Sequence, residues 1–348
     1  MLRKVLIAIA AVLVSTAVLQ AQTAINGAGS TFVYPLFSKW SEEYHKLKPQ
    51  IQINYQSIGS GGGIEQLIAG TVNIGASDAP LTDQQIATAE KAHGPVLHIP
   101  ETMGGVVIMY NIPGVNQTLK FDGPTIAAIY LGNIKSWDDP RIKELNPGVN
   151  FPHTPIIPVH RADGSGTTYI FADYLSKISP EWKQKVGVST SLGWPVGLGA
   201  KGSEGVSGQV ERTPGAIGYA DLIYALQNNI SYGDVKNAAG IYIHPSLQGV
   251  TAAAAAAAKT FPKDLRFSIT NAPGKESYSI SSATWLLIYE NQPNYAAGKA
   301  TVDFIHWVIT DGQKYCAGLD YAPIPTQLQK LDLGKLSLVK YDGKKLLK

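Results

Sequence analysis

The sequence predicts an α/β protein large enough for two domains, and three observations carry that reading. Short β-like runs alternate with amphipathic helical patterns along the chain. Roughly 300 residues remain once an N-terminal leader is set aside, a length that usually divides in two while burying about three quarters of its surface. Three Gly/Ser-rich clusters each stand just before a helical pattern.

The leader comes first. Arg3 and Lys4 form a positive start, Val5 to Val18 runs without a charge, and Leu19-Gln20-Ala21 offers a small residue for cleavage, with Ala24 a second candidate. An apolar run of about 14 residues falls short of the roughly 20 that span a bilayer, so a cleaved signal peptide over 1–21 is expected rather than an anchor. No Cys lies near the cleavage region, which excludes lipid attachment there, and the mature chain is expected to diffuse freely. Removing residues 1–21, with Arg3 and Lys4, takes 348 residues to 327 and the formal net charge from +3 to +1. With 16% charged residues and that balance, no nucleic-acid or membrane-surface footprint stands out. Cys316 is the one cysteine, so no intramolecular disulfide is available. It is expected to be buried and inert.

The elements follow in order. Val33, Leu36, Phe37, Trp40, Tyr44 and Leu47 recur at helical spacing and predict a helix over Phe32 to Leu47. Ile51 to Ser57 alternates as a half-buried strand does. Ile64 to Thr71 reads as a helix, with Ile64, Leu67 and Ile68 as its apolar stripe. Asn73 to Pro80 is a short strand running into a turn, and Thr82-Asp83-Gln84-Gln85 fits a capping box opening a further helix. Val106 to Tyr110 is a buried strand closed by the turn Ile112-Pro113-Gly114. Ile156 to Val159 is another, despite Pro158, and leads through His160-Arg161 to a helix over Thr168 to Ile178. The alanine run in Thr251 to Lys259 predicts a surface helix capped by Thr251.

The clusters are Gly27-Ala28-Gly29-Ser30-Thr31, Gly59-Ser60-Gly61-Gly62-Gly63 and Asp163-Gly164-Ser165-Gly166-Thr167. A helix N-terminus presents unpaired N–H groups and the positive end of the dipole, so it receives anions. Glycine lets the backbone approach closely, and Ser or Thr adds a hydroxyl donor. One such cluster is an ordinary cap and turn; three built alike, with Arg161 beside one, point to a shared oxyanion pocket. The planar fork of Arg161 can grip two oxygens of a tetrahedral anion while Asp163 orients it. Asp78 ends the strand at residues 73–80, where a solvated turn aspartate is the plain alternative. In an anion pocket an ionised carboxylate only accepts hydrogen bonds. It would pair with phosphate, which keeps a proton near neutral pH, and would reject sulfate at a cost of roughly 2–5 kcal/mol.

At these residues the chain resembles the phosphate-binding proteins of bacterial high-affinity phosphate ABC transporters, the PstS family. The matching stretches are Gly27 to Phe32, Ile58-Gly59-Ser60, Gly75-Ala76-Ser77-Asp78-Ala79-Pro80 and Arg161 to Thr167. Ile129-Tyr130-Leu131-Gly132 with Lys135 and Trp137, then Trp194-Pro195 and Pro214 to Tyr219, continue the match in family order. The resemblance implies a two-lobed periplasmic-binding-protein fold of type II. Each lobe is then a mixed β-sheet flanked by helices, with the ligand in the cleft between them. It implies lobe I over 25–102 and 278–348 and lobe II over 103–277, the chain leaving near Glu101–Gly104 and returning near Ser277–Ser281. It implies phosphate contacts from Thr31, Phe32 (through its backbone), Ser60, Asp78, Arg161, Ser165, Gly166 and Thr167, with Asp163 orienting Arg161. It also implies a periplasmic monomer that serves the permease and ATPase subunits of an ABC importer, with no cofactor, no metal and no catalysis. Many relatives carry a second serine where this chain has Gly61, whose N–H is expected to serve in its place.

Three other functions are weaker. A hydrolase with Ser60 or Ser165 as nucleophile needs a base in reach. Strand alternation points His160 away, and Ile58 and Asp163 stand where a G-x-S-x-G elbow needs its first glycine. No Walker lysine motif is present, and the seven histidines show no metal spacing, with His93 and His98 read as loop residues. Asp78 argues against sulfate or molybdate as the ligand, whereas arsenate and phosphonates can carry a proton. An adhesion or signalling module has no repeat, stalk or anchor to support it.

Overall fold

The computed structural model describes residues 22–258 and 261–347, so the signal-peptide reading of residues 1–21 lies outside the described residues. Among the described residues, no helix is long and apolar enough to cross a membrane. The main sheet has eight strands: β1 (Thr23–Gly29), β2 (Ile51–Ser57), β3 (Ile74–Ser77), β4 (Val96–Tyr110), β5 (Ile157–Arg161), β6 (Leu198–Ala200), β7 (Ala216–Asp221) and β8 (Ser281–Tyr289). They lie in the order β2-β1-β3-β8-β4-β7-β5-β6. The pairs β1–β2, β1–β3, β5–β6 and β5–β7 are parallel, and β8 and β4 are antiparallel to their neighbours.

The strand β4 organises the molecule. Residues Val96 to Gly105 pair with β8, and residues Val106 to Tyr110 pair with β7. One strand therefore belongs to both halves of a two-lobed α/β fold. The sequence predicts only Val106 to Tyr110 here, because Pro100 and Gly104-Gly105 hide the rest of a 15-residue strand. A register shift between Thr284 and Trp285 leaves Glu101 as the extra residue of a bulge, which is where a sheet tolerates a proline neighbour.

Helices flank the sheet. The stripe read from the sequence places Leu36, Phe37, Trp40 and Tyr44 of α1 (Tyr34–Leu47) in the core, while Leu47 is exposed. Burying each such side chain stabilises by roughly 1.5–3 kcal/mol. The helix α2 (Ser60–Ile68) starts earlier than predicted, so Gly61 to Gly63 form its first turn rather than a loop before it. Gly63 has no alternative: a Cβ there would lie 2.5 Å from Ala28 O and Gly29 Cα. The first glycine cluster likewise ends β1 instead of forming a free loop. The predicted capping box opens α3 (Asp83–His93), with Thr82 Oγ1 accepting from Gln85 N–H and Gln85 Oε1 accepting from Thr82 N–H.

In the second half, α4 (Gly166–Ile178) is capped by Ser165 and α5 (Gly202–Arg212) packs on β7. The alanine-rich helix α6 (Leu247–Ala257) begins one turn before the predicted start and is capped by Ser246, not Thr251. It is a surface helix with one buried face: Val250, Ala253 and Ala254 are buried, while Thr251, Ala255 and Ala256 are exposed. An aromatic cluster fills this half: Phe171 stacks on Tyr219 at 4.3 Å, with Tyr130, Trp182 and Trp194 around them. His93 closes α3 and His98 is buried in β4, so neither is a loop residue. His98 Nε2 accepts from Leu81 N–H at 3.1 Å. Burial pushes its imidazole down to about 4, which keeps that acceptor lone pair in place. Cys316 is buried, and burial pushes its thiol up to about 12.

Candidate functional site

The strand β1 ends at Gly29, whose φ of +139° and contact with Ala76 of β3 admit no side chain. The chain then turns through Ser30, Thr31 and Phe32 into α1. Beside it, β3 ends at Ser77 and delivers Asp78, and α2 opens at Ser60. The three segments meet: the Ser30 hydroxyl donates to Asp78 Oδ1, Ser60 Oγ lies 3.4 Å from Asp78 Oδ2, and Asp78 N–H donates to Ser60 Oγ at 3.1 Å.

The other half faces this group. Asp163 grips Arg161 with both oxygens, Oδ1 at 2.8 Å from Nε and Oδ2 at 2.5 Å from Nη2. Burial raises the Asp163 carboxyl, but the guanidinium outweighs it and holds the group below its ordinary range. Arg161 Nη1 remains on the inner side, 3.4 Å from Thr167 Oγ1 and from Ser203 Oγ. Ser165 Oγ caps α4 by accepting from Thr168 N–H at 3.0 Å, leaving its own hydrogen to donate.

The two groups are in contact. A Cβ added to Gly166 would lie 2.5 Å from Ser60 Oγ and 2.6 Å from Asp78 Cβ. Gly61 N–H donates to Gly164 O at 2.8 Å, joining the two glycine clusters directly. Its N–H is thus already engaged, so the expectation that it would serve in place of a serine does not hold in this closed arrangement. Thr31, Phe32, Ser60, Asp78, Arg161, Ser165, Gly166 and Thr167 are all buried, and Asp163 is half-buried at their edge.

What this arrangement offers is hydrogen-bond donors. Among the described residues, the N–H groups of Thr31, Phe32, Ser60, Gly166 and Thr167 find no acceptor. Buried N–H groups are almost always paired, so five unpaired ones in one place mark a receptor for an acceptor-rich guest. Asp78 is the exception, an acceptor among donors. Burial pushes its carboxyl up to about 7, against the pull of Ser30, Arg161 and Ser60. His160 is no base for the serines: its ring lies flat on Trp194 at 4.6 Å, and its Nδ1 is 3.0 Å from Arg161 O. Among the described residues, no group of His, Cys, Asp or Glu is placed to hold a metal ion.

The sequence reading missed Ser30 and Ser203. Ser30 lies inside the first cluster, where its place before a helix already marked it as a donor. Ser203 follows Gly202 at the start of α5, a Gly-Ser step of the same kind as the three recognised.

Two lobes meeting around a buried set of anion-directed donors define a solute receptor, and residues 15–312 match the family model described as "PBP superfamily domain". Within that class, the chain belongs to the PstS family of phosphate-binding proteins. It is 45% identical over 307 residues to the phosphate-binding protein PstS of Xylella fastidiosa, covering 88% of this chain and 83% of that one. It is 40% identical to the PstS of Pasteurella multocida, covering 97% of each. In fold it is similar to a high-affinity periplasmic phosphate-binding protein solved with bound phosphate at pH 8.5. The TM-score is 0.72 at 22% identity, over 88% of this chain and 92% of that one.

Proposed function

We propose that this chain binds inorganic phosphate between its two lobes in the periplasm. It then delivers the anion, as a monomer and without catalysis, to the permease and ATPase subunits of an ABC importer. The observation that carries the reading is the meeting of Asp78 with the first turn of α4, amid buried N–H groups that lack acceptors. The N–H groups of Thr31, Phe32, Ser60, Gly166 and Thr167, the hydroxyls of Thr31, Ser60, Ser165 and Thr167, and Arg161 Nη1 bind the phosphate oxygens. Asp163 orients Arg161, and Asp78 accepts the hydrogen that the bound phosphate retains. The names of the relatives and the family membership support phosphate as the ligand.

The lobes are assigned as 25–102 with 278–348, and 103–277. What supports this division is the change of partner along β4 and the start of β8 at Ser281. The leader pattern over 1–21 and the likeness in fold to a periplasmic phosphate-binding protein support export. Calorimetric titration of the mature chain with phosphate, arsenate and sulfate tests the reading. Phosphate and arsenate are expected to compete for one site and sulfate to bind far more weakly. A chain that takes up no phosphate, or that turns over p-nitrophenyl phosphate, overturns it.

A further inference from the structure

The helix α5 meets the site with its N-terminus. Lys201 supplies no side-chain cap, and Gly202 enters the helix at a φ of +73°. The first two N–H groups instead reach across: Gly202 N–H donates to Asp163 Oδ1 at 3.0 Å, and Ser203 N–H donates to Thr31 Oγ1 at 3.2 Å. The hydroxyl of Ser203, with no solvent exposure, lies 2.9 Å from Thr31 Oγ1 and 3.4 Å from Arg161 Nη1.

One of these directions follows from the inventory of hydrogens. A guanidinium only donates, so Nη1 gives to Ser203 Oγ. Between the two hydroxyls either can be the donor, and in the arrangement proposed below Ser203 gives its hydrogen to Thr31 Oγ1. That oxygen now accepts twice, from the N–H and the O–H of the same residue, which occupies both lone pairs. The hydrogen of Thr31 is left to point out of the pair. The backbone on either side is fixed, with Tyr224 OH donating to Thr31 O and Tyr321 OH donating to Phe32 O, each at 2.5 Å.

We propose that Ser203 is a positioning residue that fixes the Thr31 hydroxyl as a hydrogen donor toward the bound anion. The inference deepens the phosphate reading and rests on it. Thr31 then requires an oxygen with a free lone pair, whereas Asp78 requires an oxygen that carries hydrogen. The site thereby reads a half-protonated oxyanion from both ends. An anion without hydrogen fails at Asp78, and a neutral ligand group that can only donate fails at Thr31.

The test is a double-mutant cycle read by calorimetric titration of the mature chain with inorganic phosphate. Ser203→Ala is expected to weaken binding about ten-fold, the size of one oriented hydrogen bond to a charged partner. In a Thr31→Val background the same change is expected to add less than about two-fold, because the hydroxyl through which Ser203 acts is gone. Should alanine unsettle the helix, Ser203→Cys keeps the volume, removes the strong donor and is expected to lose affinity similarly. Wild-type affinity in Ser203→Ala, or an equal loss with and without the Thr31 hydroxyl, overturns the proposal. A wild-type chain that binds no phosphate sinks the functional reading itself, a result distinct from either.

Discussion

Gly166 rests on Asp78 so closely that a single added carbon would lie 2.6 Å from Asp78 Oδ2. The residues belong to opposite halves of the fold, so the absence of one side chain lets the halves meet. Gly166→Ala is expected to hold them apart and weaken phosphate binding by roughly ten- to hundred-fold, the range for overpacking a tight contact. Melting of the ligand-free chain should change little. Calorimetry and small-angle scattering with and without phosphate check both.

Asp78→Asn replaces an obligate acceptor by a group that can also donate. The ratio of sulfate to phosphate affinity is expected to rise by at least about ten-fold, with phosphate itself weakened less. Competition titration reads the ratio, and an unchanged value removes the selective role from the carboxylate.

Arg161→Ala leaves Asp163 half-buried without its partner, a loss that in buried pairs reaches about 3–5 kcal/mol. Part of this should appear as lower stability and part as weaker phosphate binding. Asp163→Asn, which keeps one acceptor for Nε, is expected to cost less in both. Denaturant melts beside titrations separate the two effects.

Gly61→Ser adds a side chain where the two glycine clusters touch. A Cβ at Gly61 would lie 2.9 Å from Gly164 Cα, and the two residues share a backbone hydrogen bond. The serine is therefore expected to loosen closure, appearing as faster phosphate release in stopped flow, by about three- to ten-fold. Slower release would mean that the serine hydroxyl gains more than the contact loses.

Glu101 sets a pH dependence. It is fully buried at the β4 bulge with Oε2 unpartnered, and Oε1 accepts from Thr284 at 2.8 Å. Burial pushes it from 4.5 up to about 8, with Asp78 adding to the rise. The folded chain holds this proton more tightly than the unfolded chain, so the contribution is full below pH 4.5. It declines as pH rises toward about 8, by at most about 1.4 kcal/mol per pH unit. Glu101→Gln is expected to raise the melting temperature at pH 9 relative to wild type and to leave it nearly unchanged at pH 4.5. Thermal melts across that window check it.

Local chemistry was the legible part. The Thr82–Gln85 box and the α1 stripe could be read because each is decided within one turn or one face. The site clusters could be read because Gly and Ser before a helix mean the same thing wherever they occur. What stayed hidden depends on distant partners. The full length of β4 is set by β8 and β7, far along the chain, and its Pro100 is tolerated only because Glu101 bulges. The α6 start shifted because Leu247 and Val250 face other elements, which alanine propensity does not register. Ser203 belongs to the site through Thr31, 172 positions away, and Arg161, 42 positions away.

An unbroken β4 also limits how the molecule can gape. Its ladder to β8 ends at Gly105 and its ladder to β7 begins at Val106, so a rotation concentrated there need not rupture either set of rungs. Gly104 lies against the Phe32 ring at the same level, where an added carbon would come within 2.5 Å. The point where β4 changes partner and the Ser30–Phe32 turn thus share one buried aromatic ring.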